Sequence, residues 1–142
     1  MRRFIILGCT LSATMTSAAT TADAAVGEPQ GTVVTYARTG GFAGFNDTIT
    51  VDVTGVAHVS STPTEILLSA PELDGLRADL GRIRTWWSSP AGCDIADHIA
   101  YSLTYGDRRA RRCQVVPRDW QPAISRLDGL LARARSARSA PV

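Results

Sequence analysis

The side chains that could carry out chemistry in this chain are few: two histidines, His58 and His98, and three cysteines. Cys93 precedes His98 by five residues, so a thiolate and an imidazole could share one metal ion. A zinc site needs four protein ligands, or three and a water molecule. If Cys93 and Cys113 are joined to each other, no such set is left. We therefore expect no metal site and no cofactor.

Catalytic groups are not indicated either. A Ser–His–Asp set can be drawn from any chain with many serines and aspartates, so its mere presence carries no weight. The glycine-rich stretch Gly40–Gly44 lacks the lysine and the strand-to-helix context of a phosphate-binding loop. We predict that the protein is not an enzyme and that both histidines belong to strand faces. A small hydrolase would instead need a histidine beside acidic groups in a polar cleft.

The first 24 residues have the features of an export signal. Arg2 and Arg3 precede an apolar stretch, and small residues lead to a cleavage site after Ala24. The apolar stretch is too short to span a membrane, so we expect a secreted, extracellular protein with no stable membrane anchor. A minor alternative is a lipoprotein anchored through Cys9. The remaining cysteines, Cys93 and Cys113, form an even pair in an exported chain, which predicts a disulfide bond.

Charge is distributed unevenly, and all fifteen basic residues are arginines. Residues 25–107 hold four arginines and ten acidic residues, a net charge of 4 − 10 = −6, whereas residues 108–142 hold nine and two, a net charge of 9 − 2 = +7. Nucleic-acid binding would require aromatic stacking partners among Arg109, Arg111 and Arg112. None stands between them in the sequence. We predict a solvated basic face and no nucleic-acid partner.

The elements that must position these residues follow from local patterns. β-Branched and aromatic residues predict strands at 32–38, 45–54 and 56–60, and residues 61–68 can extend the meander. In the second of these strands apolar and polar residues alternate, which indicates one buried side and one wet side.

Two helices are predicted. Ser69 and Glu72 form a capping box that begins a helix from about Ala70 to Arg84, with leucines at helical spacing. A second helix follows Pro117, with Asp119 as its cap. Its buried face is predicted to contain Trp120, Ile124, Leu127 and Leu131.

A β-hairpin is predicted between these helices, and its register can be argued. A two-residue turn at Gly106–Asp107 would set the apolar face of the first strand against arginines. A three-residue turn, Gly106–Arg108, would set Tyr101 opposite Cys113 and join apolar residues to each other. A slip of one residue exchanges the two faces of a strand, so we predict the three-residue turn, with Cys113 pointing inward.

The resulting fold class is α+β: an antiparallel sheet of about five strands, covered on one face by two helices. After a signal peptide at 1–24 we expect a disordered lead-in at 25–31, a single domain at 32–137 and a disordered tail at 138–142.

The glycine-rich turn after the first strand has two interpretations. Its glycines can simply supply the positive φ angles that the hairpin needs, with Phe45 turned inward and Arg38 an ordinary charge at a strand edge. Alternatively, the tip of the turn contacts a partner. The partner-binding segment would then consist of Arg38, Thr39, Gly40, Gly41, Phe42, Ala43, Gly44 and Phe45.

The stretch TYARTGGFAGFNDTITVDV resembles the emfourin family of bacterial protein inhibitors, whose members carry an Arg-Thr-Gly-Gly-Phe-Ala-Gly segment, here residues 38–44. The likeness extends over roughly residues 33–134, although only residues 38–44 are specific. The resemblance implies inhibition of thermolysin-like zinc metalloproteases, notably the protealysin-like group. The export signal and the cysteine pair depart from the family's usual pattern.

Two functions remain open at this point. The first is a secreted, non-catalytic inhibitor of a thermolysin-like metalloprotease, monomeric when free. The second is a secreted or cell-envelope interaction module that has the same fold and no inhibitory activity. An assay of thermolysin-like activity in the presence of the protein separates the two.

Overall fold

The structure, a computed structural model, describes residues 31–139. The predicted signal peptide, Cys9, nearly all of the predicted lead-in and the last three residues of the predicted tail lie outside this range. The described elements are β1 (Thr32–Gly40), β2 (Phe45–Asp52), β3 (Val56–Val59), β4 (Glu65–Leu67), α1 (Ala70–Arg82), β5 (Ile99–Tyr105), β6 (Arg108–Cys113) and α2 (Gln121–Ser139).

The six strands form one open antiparallel sheet in the order β4-β3-β2-β1-β5-β6. The predicted fold class is confirmed, with one strand more than expected because the short apolar run near residue 66 pairs with β3 as β4. The first and fifth strands, which are distant in sequence, are neighbours at the centre of the sheet. The turn between β1 and β2 therefore lies next to the chain that leads into β5.

Alternation along the strands directs one face of the sheet towards both helices. On that face Tyr36 pairs with Ile49 on one side and with Leu103 on the other, and all three side chains are fully buried. The other face bears mainly hydroxyl side chains on the central strands, such as Thr35 and Thr50. The two-faced pattern read from β2 is thus confirmed.

The first helix begins as predicted. The backbone N–H and the hydroxyl of Ser69 both donate to the Glu72 carboxylate, at 2.7 and 2.8 Å. This arrangement satisfies a free donor at the helix start. The helix ends at Arg82, two residues earlier than expected. Its predicted apolar face is buried as a row that comprises Leu73, Leu76, Leu80 and Ile83.

The second helix packs on the first and on the sheet. Its predicted buried face is confirmed, and Trp120 just before it is completely buried. Asp119, however, does not cap this helix: its carboxylate accepts hydrogen bonds from the backbone N–H groups of Arg84 and Thr85, at 2.9 and 2.8 Å. It thereby fixes the chain that leaves α1. The helix continues to Ser139, two residues beyond the predicted end of the domain.

The predicted hairpin register is wrong. Tyr105 pairs with Arg108 across a two-residue turn, so Leu103 faces Ala110 and Tyr101 faces Arg112. An arginine can lie against an aromatic ring through its guanidinium. Arg112 does so, with its guanidinium 5.3 Å from the centre of the Trp87 ring. An apolar residue was therefore not needed at that position.

The same register turns Cys113 away from the helices. It pairs with Ala100, and both side chains are buried on the opposite face of the sheet. The connection between α1 and β5, residues 83–98, crosses to this face and covers the corner. We call it the disulfide loop, because its Cys93 is bonded to Cys113. The predicted disulfide is thus present. Cys113 was expected to point inward, towards the helices, but it lies on the opposite face of the sheet.

Candidate functional site

The candidate site begins with the turn between β1 and β2, which we call the glycine turn (residues 40–45). Gly40, Gly41 and Gly44 have φ angles of 86°, 74° and 63°, in the region where only glycine is unstrained. The Gly44 N–H donates to the Gly41 carbonyl at 2.9 Å and closes the turn. The glycines are therefore required by the backbone, whatever else the turn does.

The glycine turn is also supported from outside, by the disulfide loop. The Gly41 N–H donates to the His98 carbonyl at 2.9 Å. A Cβ atom at Gly40 would lie only 2.5 Å from that carbonyl oxygen. The loop that presents this carbonyl is tied to β6 through Cys93 and Cys113, whose sulfurs are 2.01 Å apart. The turn thus rests against a covalently fixed segment.

Phe42 stands at the tip of this supported turn with 97% of its side chain exposed. Thr39, Ala43 and Gly44 are exposed beside it. Transfer of an exposed phenylalanine ring from water into an apolar site is favourable, because it removes apolar surface from water. Of the predicted binding segment, Phe42 is therefore the residue with the most apolar surface left to bury on a partner.

Phe45 is placed differently. It opens β2 on the side of the sheet that faces the helices, is half-buried, and carries the Arg38 guanidinium 4.1 Å from its ring centre. This is a cation–π contact within the fold. Phe45 therefore forms the base of the glycine turn, as the inward-facing interpretation predicts.

Arg38 is not an edge charge, because β1 is a central strand of the sheet. Its guanidinium lies 2.8 Å from Asp47 and 3.3 Å from Asp128 of α2. Asp47 also accepts from Arg135 at 2.6 Å. Burial opposes ionisation of Asp47, but the hydrogen bonds from Arg38 and Arg135 outweigh it and lower its pKa. These ion pairs join the base of the glycine turn to α2.

The buried Tyr36 completes this cluster by donating to Asp128 at 3.1 Å. Burial, and next the negative charge of Asp128, raise the pKa of Tyr36. The hydroxyl therefore stays protonated at physiological pH and can donate to Asp128. The cluster of Tyr36, Arg38, Asp47, Asp128 and Arg135 thus links β1 and β2, at the base of the glycine turn, to α2.

Sequence reasoning missed the apolar surface around the disulfide loop. Trp87, Ile95 and Val115 are 62%, 51% and 73% exposed. Ile95 and Val115 line an open pocket of about 400 Å³ beside Cys113 and Pro117. The sequence signal was weak: one or two apolar residues at a time, in segments that are otherwise polar or turn-forming. The other two tryptophans are packed: Trp86 stacks on Tyr105 with ring centres 6.2 Å apart, and Trp120 donates to the Thr85 carbonyl.

The two histidines are not brought together. His58 lies on β3, where its Nδ1 is 3.4 Å from Glu65, and is thus a strand-face residue as predicted. His98 lies in the disulfide loop rather than in a strand, directly before β5. One ring nitrogen of His98 and the sulfurs of Cys93 and Cys113 lie within 4.8 Å of one another.

Comparison with known proteins gives no relative: no family model, no curated protein and no solved structure matches this chain. Between residues 31 and 139, no helix is both long enough and apolar enough to cross a bilayer.

Proposed function

We propose that the protein is a secreted, non-catalytic inhibitor that binds a thermolysin-like zinc metalloprotease through the glycine turn. The observation that carries the proposal is Phe42: it is 97% exposed on a turn whose backbone is fixed by hydrogen bonds within the turn and to the disulfide loop. The resemblance of residues 38–44 to the emfourin segment supplies the class of target.

Rigidity supports this use of the turn. An inhibitor that must order a loose loop on binding loses affinity to conformational entropy. Here the turn is already ordered by the Gly41–His98 hydrogen bond and, through the loop that carries His98, by the Cys93–Cys113 bond. The apolar gain from burying Phe42 is therefore not offset by the cost of ordering its backbone.

The roles of the segment residues differ in this proposal. Phe42 is the anchor that enters an apolar subsite of the protease cleft. Thr39, Ala43 and Gly44 surround it and are small enough to let the cleft approach the backbone. Arg38 and Phe45 position the turn from below, through their cation–π contact at 4.1 Å.

The turn alone is too small for a stable complex, since a standard protein–protein interface buries about 1,600 Å² in total. The exposed apolar residues Ile95 and Trp87 of the disulfide loop extend the candidate surface. His98 joins this loop to the turn through its carbonyl. The proposed interface therefore comprises the glycine turn and the disulfide loop together.

The test is inhibition of purified thermolysin-like proteases by the exported, oxidised protein, with a Phe42→Ala variant. We expect the wild-type protein to inhibit and the variant to have an inhibition constant raised by about tenfold or more. Because Phe42 makes no core contact, the melting temperature should change little.

Leu67→Ala is the matched control. Leu67 is also a large apolar residue, with 71% of its side chain exposed. It lies on the edge strand β4, two strands away from β2 and the glycine turn. Its inhibition constant should equal that of the wild-type protein. Failure of the wild-type protein to inhibit any thermolysin-like enzyme would overturn the proposal and favour the interaction module. A large loss of stability in Phe42→Ala with unchanged inhibition would assign the ring to the fold.

A further inference from the structure

A second site, whose metal binding can be measured without the proposed inhibition, lies where the disulfide loop meets the end of β6. Cys93, His98 and Cys113 bring their two sulfurs and one imidazole nitrogen within 4.8 Å of one another. Sulfur and imidazole nitrogen are the ligands that zinc prefers. In the oxidised protein the sulfurs are bonded to each other, so the set is complete only when that bond is reduced.

The tautomer of His98 suits a metal ligand. Its Nδ1 lies 3.0 Å from the Ile95 carbonyl oxygen. A carbonyl oxygen can only accept, so Nδ1 carries the proton and Nε2 retains its lone pair. A histidine that binds zinc usually donates its other ring N–H to a backbone carbonyl or a carboxylate in this way. The ring is therefore already oriented by its own loop.

The surroundings leave room for an ion and a water molecule. Cys113 is buried, whereas Cys93 and His98 line an open pocket of about 460 Å³ together with Ser88, Ser89 and Arg111. The Arg111 guanidinium is positively charged, so the pocket disfavours a site with a net positive charge. Two thiolates, one neutral imidazole and one divalent cation sum to zero charge, which meets this condition.

We propose that reduction of the Cys93–Cys113 disulfide creates a zinc site, with both thiolates and His98 Nε2 as ligands and a water molecule in the fourth position. A dithiol reductant transfers two electrons and two protons, breaks the S–S bond and leaves as its own disulfide. Binding of Zn²⁺ then releases the two thiol protons to solvent. A disulfide oxidant reverses the process: it takes two electrons from the thiolates and two protons from solvent, leaves as a dithiol, and the re-formed S–S bond releases Zn²⁺.

The geometry permits this exchange with small movements. Tetrahedral zinc with Zn–S bonds of about 2.3 Å holds two sulfurs about 3.8 Å apart. The Cα atoms of Cys93 and Cys113 are 5.0 Å apart, so rotation of the two side chains is enough to reach that separation. The ion thus takes over the link between the disulfide loop and β6, and the two links exclude each other.

The test uses the whole purified protein without oxygen, reduced by a phosphine, which does not compete for the metal as a dithiol would. Co²⁺ serves as the spectroscopic probe and Zn²⁺ as its competitor. We expect one Co²⁺ per chain, with thiolate-to-cobalt charge-transfer bands and the visible absorption of a tetrahedral site, lost on addition of Zn²⁺. The oxidised protein should show none of these bands.

His98→Gln and His58→Gln are the matched variants. The first removes the nitrogen ligand and should weaken binding by about tenfold or more, while the backbone carbonyl that supports Gly41 stays in place. The second lies on β3 and should bind as the wild-type protein does. Equal affinity in His98→Gln and the wild-type protein would overturn the assignment of His98.

The melting temperature provides a second measurement, which can be used even if the reduced protein is unstable without metal. A ligand that binds only the folded state raises the melting temperature. Zn²⁺ should therefore raise the melting temperature of the reduced wild-type protein, or restore its folding, and should have a smaller effect on reduced His98→Gln at the same Zn²⁺ concentration. Reduced wild-type protein that neither binds Co²⁺ nor is stabilised by Zn²⁺ excludes the site.

Discussion

At the scale of single residues, the glycine turn separates two phenylalanines that are close in sequence. Phe42 is exposed at the tip, whereas Phe45 lies under the Arg38 guanidinium. The backbone decides this difference, because the positive φ angles of Gly41 and Gly44 carry the chain outward after β1 and back into β2. The anchor and its support are thus assigned by backbone geometry, and residue type alone would not distinguish them.

The structure predicts unequal costs for alanine at two of these glycines. Gly40 and Gly44 both have positive φ angles, but only at Gly40 would the new Cβ meet the His98 carbonyl, at 2.5 Å. Gly44→Ala should lower the free energy of unfolding by about 1 kcal/mol through backbone strain alone. Gly40→Ala should lower it by about 2 kcal/mol or more, because the loop must also move.

Urea unfolding of the two variants measures these costs. Gly81→Ala in α1 is a suitable control, since its added Cβ would meet no atom within 4 Å and the helix gains a better helix former. Equal costs for Gly40→Ala and Gly44→Ala would show that the disulfide loop does not support the turn.

At the scale of elements, the molecule depends on one irregular segment, the disulfide loop. It leaves α1, is fixed by Asp119 through the amides of Arg84 and Thr85, and donates from Ser89 to the Arg111 carbonyl at the edge of β6. It then passes through Cys93 and presents the His98 carbonyl to the glycine turn. A loop with no regular hydrogen-bond ladder needs such separate attachments to stay ordered.

Removal of the disulfide should therefore destabilise the glycine turn, although the two cysteines are not part of it. The Cys93→Ala/Cys113→Ala double variant should lower the free energy of unfolding by about 3 kcal/mol, as expected for a cross-link between residues 20 apart. Hydrogen exchange of the Gly41 amide should become faster, because its acceptor lies in the released loop.

The Leu68 amide provides an internal reference for that measurement. It donates to the Gly55 carbonyl at 2.9 Å, in a part of the fold that the disulfide loop does not support. Its exchange should reflect only the loss of global stability. If Gly41 and Leu68 respond alike, the loop does not hold the turn.

At the scale of the whole molecule, one set of ion pairs joins α2 to the rest of the fold. Asp47, Asp79 and Glu72 accept from arginines of α2, namely Arg135, Arg126 and Arg133, and so join this basic helix to the sheet and to α1. In residues 31–139, the arginines of β6 form no ion pair with an acidic side chain, and Arg108, Arg109 and Arg111 are exposed. The structure adds one contact that the sequence did not predict, between Arg112 and Trp87.

This arrangement predicts loss of stability in acid. Burial opposes ionisation of Asp47, Asp52 and Asp119, yet hydrogen bonds to each carboxylate lower its pKa below the usual value. A carboxyl with a lowered folded-state pKa contributes its full stability above the unfolded-state pKa of about 3.9. That contribution is lost as the pH falls from there through the folded-state pKa.

Denaturant unfolding between neutral pH and pH 2 tests this, with pH 2 chosen as roughly the lower end of such transitions. The free energy of unfolding should be nearly constant down to about pH 5 and should fall below about pH 4. Asp47→Asn should be less stable at neutral pH and should lose less on acidification. An unchanged pH slope in this variant would contradict the role assigned to Asp47.

The sequence by itself determined the features that depend on near neighbours along the chain. The strands, the capped start of α1 and the buried row of α2 follow from periodicity and from residues a few positions apart. The glycine turn was visible for the same reason, since its glycines answer a local backbone requirement. The cysteine pair was found by counting, because two cysteines outside the predicted signal peptide leave one pairing.

The tertiary structure alone decided what depends on contacts between distant segments. Arg38 lies at the centre of the sheet because β5, about sixty residues later, pairs beside β1. Asp119 binds the end of α1 instead of its own helix, and the hairpin takes the register that the sequence argument rejected. In each case the residue's actual partner lies far along the chain or is a long side chain, whereas the local pattern had predicted a partner nearby in the sequence. The folded state is stabilised by any partner that removes apolar surface from water or pairs a buried polar group, whatever the distance of that partner along the chain.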